Sequence, residues 1–298
     1  MEAITIGTAE GIDAIHQRLS NEFRYLQQEG VHVRIGQHHQ GSLQFLNCAL
    51  EEESSPAGLD LLVRHTVAHA LSDHIVDQCE GELIRKIIDS AYHYFTPEEQ
   101  DQILSYTDRT LNGPPGSPPR LKVGRKSQIL HRLRDYLDGA DELVLEGFLT
   151  FRLRDYVEEL EDAVDRAVDD FLMEREYLEF VRLLQYFVEV QEPRIDKVQV
   201  VMRPGGLFRL LDESGIAVRS EHLEEFMVEM VESEVNWEDL LVSALITLAP
   251  NAILIHGASL ATWDDSLETI KRVFGDRVVL CEDCPLCPSG AVGIDGGL

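Results

Sequence analysis

The chain has 298 residues, with 54 Asp or Glu against 26 Lys or Arg and a formal net charge of −28 at pH 7. Phosphate backbones are held by Lys and Arg, so a carboxylate surplus of this size argues against nucleic-acid binding as a general function. Hydrophobic residues at 44% and charged residues at 27% are those of a folded globular protein that can bury a core without disulfides.

No apolar run approaches the ~20 residues needed to span a bilayer. The start Met1-Glu2-Ala3-Ile4 lacks the basic and apolar stretches of a signal peptide. The expectation is a cytoplasmic protein with no membrane partner. Five cysteines, an odd number with three near the C-terminus, read as intracellular thiols rather than a disulfide framework.

Residues 1–57 are predicted as a β-α-β-β segment. Ile4 and Ile6 alternate, Ile12, Ile15, Leu19, Phe23 and Leu26 recur at helical spacing, and Gly30 stops the helix. Val31, Val33 and Ile35, then Leu43, Phe45 and Leu46, suggest a hairpin about the polar run Gln37 to Gly41. Residues 58–192 read as helical, broken by a Pro/Gly loop at 112–119. Within them Thr96-Pro97-Glu98-Glu99 is a helix start with a capping box. The longest helix is predicted from near Leu153 to Phe187, with an apolar stripe through Leu160, Val164, Phe171, Val181 and Val188.

Residues 193–288 change to a mixed pattern. Val198, Val200 and Met202 alternate against Phe208 and Leu210 across the turn Arg203-Pro204-Gly205-Gly206. A second turn at Glu213-Ser214-Gly215 leads to Ile216 and Val218, and helices are expected over Ser220–Val231 and Asn236–Leu248. A parallel β-α-β unit closes the region, with strand Ala252 to His256, helix Ser266 to Phe274 and strand Arg277 to Cys281. Residues 289–298 are expected to be a flexible tail. The expected fold is α+β, a predominantly helical middle flanked by short N-terminal and C-terminal sheet segments.

Glu146-Gly147-Phe148-Leu149-Thr150-Phe151-Arg152-Leu153-Arg154-Asp155-Tyr156 is followed in order by Ala167 to Phe171, Glu176 to Phe180 and Gln191-Glu192-Pro193. Val198-Gln199-Val200, Ala244 to Pro250 and Ile255-His256 come next. This succession resembles the YtxC-like sporulation family of Gram-positive spore formers, most clearly over about residues 145 to 285. The resemblance implies a cytoplasmic, sporulation-associated protein of a spore-forming Firmicute, and it brings no catalytic residue set with it.

The sharpest chemical signal is Cys281-Glu282-Asp283-Cys284-Pro285-Leu286-Cys287. Two thiolates three residues apart in a turn can face one Zn²⁺, and His256, at the end of the neighbouring predicted strand, is the candidate fourth ligand. Free thiols on a flexible tail and redox exchange or an intersubunit site are the other readings. A ferredoxin-type cluster is disfavoured because no further cysteine follows Cys287. His65, His69 and Asp73 share one helical face and form a weaker metal candidate, against solvated histidines in a groove. They lack the Glu of the H-E-x-x-H hydrolases. Arg125, Lys126 and Ser127, within a basic cluster from Arg120 to Arg134 and at a predicted helix start, could take an anion or nucleotide, against simple pairing with the acidic surface. Their spacing is not that of a P-loop. No Gly-x-Ser-x-Gly, Gly-x-Gly-x-x-Gly or EF-hand loop occurs.

These readings lean away from an enzyme. They favour a sporulation-associated protein acting through a protein partner or self-association, by the stripe of the long helix or the acidic run between Arg219 and Lys271. The alternatives are a zinc metalloprotein, including a hydrolase, and an anion or nucleotide binder.

Overall fold

A computed structural model describes residues 3–51, 59–114, 116–118, 120–202, 208–218, 237–257, 264–282 and 284–287. The chain is α+β with a helical middle, and it divides into two compact units, Met1–Met173 and Glu174–Leu298. Its N-terminal and C-terminal strands make separate four-stranded sheets.

In the first unit β1 (Ile4–Thr8) leads into α1 (Ile12–Gln28), which buries the stripe Ile12, Ile15, Leu19, Phe23 and Leu26. Gly30, at φ 86°, ends that helix in the left-handed region that favours glycine. β2 (Val33–Gln40) and β3 (Leu43–Leu50) form an antiparallel hairpin with Gln40 opposite Leu43. The polar run from Gln37 to Gln40, read from sequence as connection, therefore belongs to the strand. β2 is an edge strand whose outer residues face solvent, and His38 stacks on Phe45 with ring centroids 5.2 Å apart. Phe45 also explains Gly7, where a Cβ would meet the ring at 2.5 Å.

The helical part runs α2 (Leu59–His74), a π-helical turn Ile75–Cys79, α3 (Glu80–Ala91), α4 (Pro97–Asn112) and α5 (Arg120–Leu137). A short strand β4 (Glu142–Val144) then pairs parallel to β1 and completes the order β2-β3-β1-β4. α6 (Leu145–Arg152) and α7 (Arg154–Val190) follow. The capping box at α4 is present in full, with Glu99 N donating to Thr96 Oγ1 at 3.3 Å and Thr96 N donating to Glu99 Oε2 at 2.8 Å. Val67, Leu71, Ile75, Ile103, Ile129, Leu133, Leu160 and Val164 make the centre of this core.

In the second unit β5 (Lys197–Met202) pairs antiparallel with β6 (Phe208–Leu211) and parallel with β7 (Ala252–His256). β8 (Val278–Leu280) pairs parallel with β7, giving the order β6-β5-β7-β8. α8 (Trp237–Leu248) precedes β7, and α9 (Asp264–Phe274) connects β7 to β8 in the β-α-β sense read from sequence. Val198, Val200, Ile253 and Ile255 share a core with Leu241, Leu245, Ile270 and Phe274, closed by Val181 and Val188 from the end of α7. The expected turn Arg203–Gly206, the helix expected over Ser220–Val231 with most of the acidic run, and the tail 289–298 lie outside the described residues. Among the described residues no helix is long and apolar enough to cross a membrane.

Candidate metal centre

Two of the four candidate ligands are placed by regular structure. His256 is the last residue of β7, where Val201 lies opposite it on β5. Ile255 faces Leu280 on β8, and Cys281 N donates to Ile255 O at 2.8 Å, so Cys281 emerges beside His256 at one end of the sheet. The other two come from a turn. Cys287 N donates to Cys284 O at 3.0 Å, and Pro285 fixes φ inside the turn, so both thiols fall on the same side.

One ligand atom each from His256, Cys281, Cys284 and Cys287 lies within 4.8 Å of all the others. Cys284 Sγ is 3.2 Å from His256 Nδ1 and 3.9 Å from Cys287 Sγ, and Cys287 Sγ is 3.8 Å from His256 Nδ1. Tetrahedral Zn²⁺ with Zn–S of ~2.3 Å and Zn–N of ~2.0 Å requires S···S of about 3.8 Å and S···N of about 3.5 Å. The donor set and spacing therefore fit a metal ion of that size.

The electrostatics point the same way. Burial first, and then Lys197, lowers the His256 pKa, which keeps the ring neutral near pH 7, the form that ligates metal. Desolvation opposes ionisation of Cys284, yet the backbone N–H groups of Leu286 (3.3 Å from Sγ) and Cys287 and the neighbouring thiols hold its pKa below the usual thiol value. Cys281 is shifted upward, by desolvation first and then by Cys284 and Cys287. Cys284 therefore ionises before Cys281. Behind the ring, His256 Nε2 lies 3.2 Å from Gln199 Oε1, a partner absent from the reading of the sequence. Its only sequence signal is a polar side chain between the buried Val198 and Val200 of β5.

The remaining sequence candidates are placed differently. On α2, Asp73 Oδ1 is 2.6 Å from Lys126 Nζ, and His69 Nε2 is 3.5 Å from the same ammonium. His69 Nδ1 is itself 3.3 Å from Asp73 Oδ2, so the pair is engaged with each other and with Lys126. Among the described residues the only converging metal-ligand group is the one at His256. Arg125 is buried and gives two 2.9 Å bonds to Glu80, with further bonds to Leu111 O and Asn112 Oδ1. Ser127 Oγ donates to Val123 O at 2.9 Å inside α5, a helix that begins at Arg120 and so offers no N-terminus at Ser127. Arg125, Lys126 and Ser127 therefore do not converge on one ligand position.

Comparison with known proteins places the chain in a family. The model of the YtxC-like family matches residues 65–279, a span that includes Gln199 and His256 and ends before Cys281. The uncharacterized protein YtxC of Bacillus subtilis (strain 168) is 30% identical over 207 residues, covering 67% of this chain and 70% of that protein. No solved structure matches. A family match over most of the chain, together with that relative, shows that this chain belongs to the YtxC-like family.

Proposed function

We propose that the chain is a zinc protein in which His256, Cys281, Cys284 and Cys287 hold one Zn²⁺ as a structural centre. The observation that carries this reading is the mutual approach of the four ligand atoms within 4.8 Å, with spacings close to those of a tetrahedral site. Four protein ligands close the coordination sphere and leave no position for an activated water, which separates this centre from that of a zinc hydrolase. The metal's work is to fasten the Cys284–Cys287 turn to the end of the sheet. Metal analysis of protein purified without a histidine tag tests it. One zinc per chain is expected, lost in Cys284→Ser. Zinc-free protein after purification under zinc-replete, reducing conditions would overturn it.

At the level of the whole protein we infer a sporulation-associated role exercised in the cytoplasm through protein contact. The stripe read from the sequence, Leu160, Val164, Phe171, Val181 and Val188, is buried, so the support is the family together with other apolar side chains that α7 leaves in solvent, Phe180, Leu183, Tyr186, Phe187 and Val190. A partner captured from sporulating cells by the wild-type chain and lost with Phe180→Glu/Phe187→Glu, at unchanged zinc content, is the expected result. Equal capture by both chains, or none by either, would remove this reading.

A further inference from the structure

We infer that Gln199 is the positioning residue of the metal centre, fixing the tautomer of His256 so that Nδ1 presents a lone pair to the metal. The inference rests on the zinc reading above. Gln199 Nε2 donates to Asp212 O at 2.9 Å, which uses the donor end of the amide and decides which way it faces. Its Oε1, an acceptor only, is then the atom 3.2 Å from His256 Nε2. Nε2 must carry the ring proton. A neutral imidazole has one N–H, so Nδ1 is left with its lone pair toward the sulfurs, 3.2 Å from Cys284 Sγ.

The orienting carbonyl is itself held. Asp212 Oδ1 accepts from Ser214 N and Ile216 N at 2.9 Å each, and Asp212 N donates to Ile216 O at 2.8 Å. Asp212 follows β6, Gln199 lies in β5, His256 ends β7 and Cys281 follows β8. A line of polar contacts thus runs from the end of β6 through β5 to the end of β7 and ends on the Cys284 and Cys287 thiols of the turn. An apolar residue at 199 would leave the Nε2 proton unpaired beside a ring that is only 2% exposed. It would also release the tautomer with Nδ1 protonated, which cannot coordinate. Loss of such outer partners of a ligating histidine typically weakens metal binding by about 10–100-fold.

The test measures zinc affinity by competition with a chromophoric chelator, and the sulfur-to-cobalt charge-transfer band of the Co²⁺ form, in wild type, Gln199→Leu and Gln199→Glu. Gln199→Glu keeps an acceptor for the Nε2 proton and loses the donor to Asp212. The expected result is about 10–100-fold weaker zinc binding in Gln199→Leu, with Gln199→Glu within a few-fold of wild type. All three should have the same far-ultraviolet circular dichroism. Wild-type affinity in Gln199→Leu would overturn the role of Gln199 while leaving the zinc centre standing. Equal weakening in both variants would show that accepting the Nε2 proton is not what Gln199 contributes, and would overturn the inference. Failure of the wild-type chain to bind zinc or cobalt would overturn the zinc reading itself, and this inference with it.

Discussion

Cys281 donates its backbone N–H to Ile255 O at 2.8 Å, continuing the β7–β8 ladder past Leu280 and setting Cys281 beside His256. Half of the ligand set is therefore already in place when the sheet forms, and the metal has only the Cys284–Cys287 turn to gather in. A ligand that binds only the folded state stabilises it by mass action, by ~2.7 kcal/mol at a hundredfold excess over Kd. Chelation should accordingly lower the unfolding temperature of the C-terminal unit, and added zinc should restore it. Identical melting curves for chelated and zinc-loaded protein would count against a structural metal.

The cysteines should fall into two classes toward an alkylating reagent. Cys48, in β3, is buried, and burial pushes its pKa up to about 12. Cys79, in the π-helical turn, is pushed up to about 11 by burial first and then by Glu82 and Glu146. The thiolate is the nucleophile, so both should be inert in the native state. Of the five cysteines, mass spectrometry should find Cys281, Cys284 and Cys287 labelled in metal-free protein, with Cys284 before Cys281. None should react in the zinc-loaded protein, and all should react in denaturant. Equal labelling of the three with and without zinc would show that they do not ligate it.

What the sequence revealed and what it hid separates by the range of the interaction. The capping box at Thr96 and the α1 stripe depend on neighbours a few residues away, and the β-α-β unit on three consecutive elements, and each was legible. β4 was not, because a triplet with only Leu143 buried has no measurable period and its pairing is with β1, far away in sequence. The start of α5 was misplaced at Ser127 because the Pro/Gly loop and the basic cluster masked it. The helix begins at Arg120, directly after Pro119, and carries Gly124 within it. The metal candidates show the same division. The Cys-x-x-Cys spacing and the strand ending at His256 were local signals, whereas Gln199 sits in a strand whose partners only the sheet order reveals.

The basic cluster has a structural consequence instead. Arg125 and Glu80 are each 8% exposed, and Tyr156 adds a 2.7 Å bond from its hydroxyl to Glu80 Oε2. Burial first, and then Glu80, raises the Tyr156 pKa, so its hydroxyl stays a donor. Removing one partner of such a pair strands a buried charge, at ~3–5 kcal/mol, whereas replacing both by apolar residues of similar volume is often nearly neutral. Arg125→Met should therefore destabilise the protein by roughly that amount, and Arg125→Met/Glu80→Met by less. Urea unfolding of the single and double variants measures this. Additive losses would show that the two charges are not coupled.

His74 ends α2 against the π-helical turn, with 5% exposure and, among the described residues, no partner for Nδ1. Burial first, and then the guanidinium of Arg18, lowers its pKa, with Asp77 opposing. In the unfolded chain the ring takes a proton below its ordinary value of 6.5, whereas in the folded chain it resists until a lower pH. Between those two values the unfolded state binds more protons, so stability rises with pH. The contribution is complete above pH ~6.5 and is lost as the pH falls through the folded value, at no more than about 1.4 kcal/mol per pH unit. His256 titrates in the same direction, so the informative quantity is the difference between wild type and His74→Phe. Denaturant unfolding of the zinc-loaded proteins at several values below neutrality should give a shallower pH slope for the variant. Parallel slopes would mean that the folded protein accepts a proton on His74 as readily as the unfolded chain does.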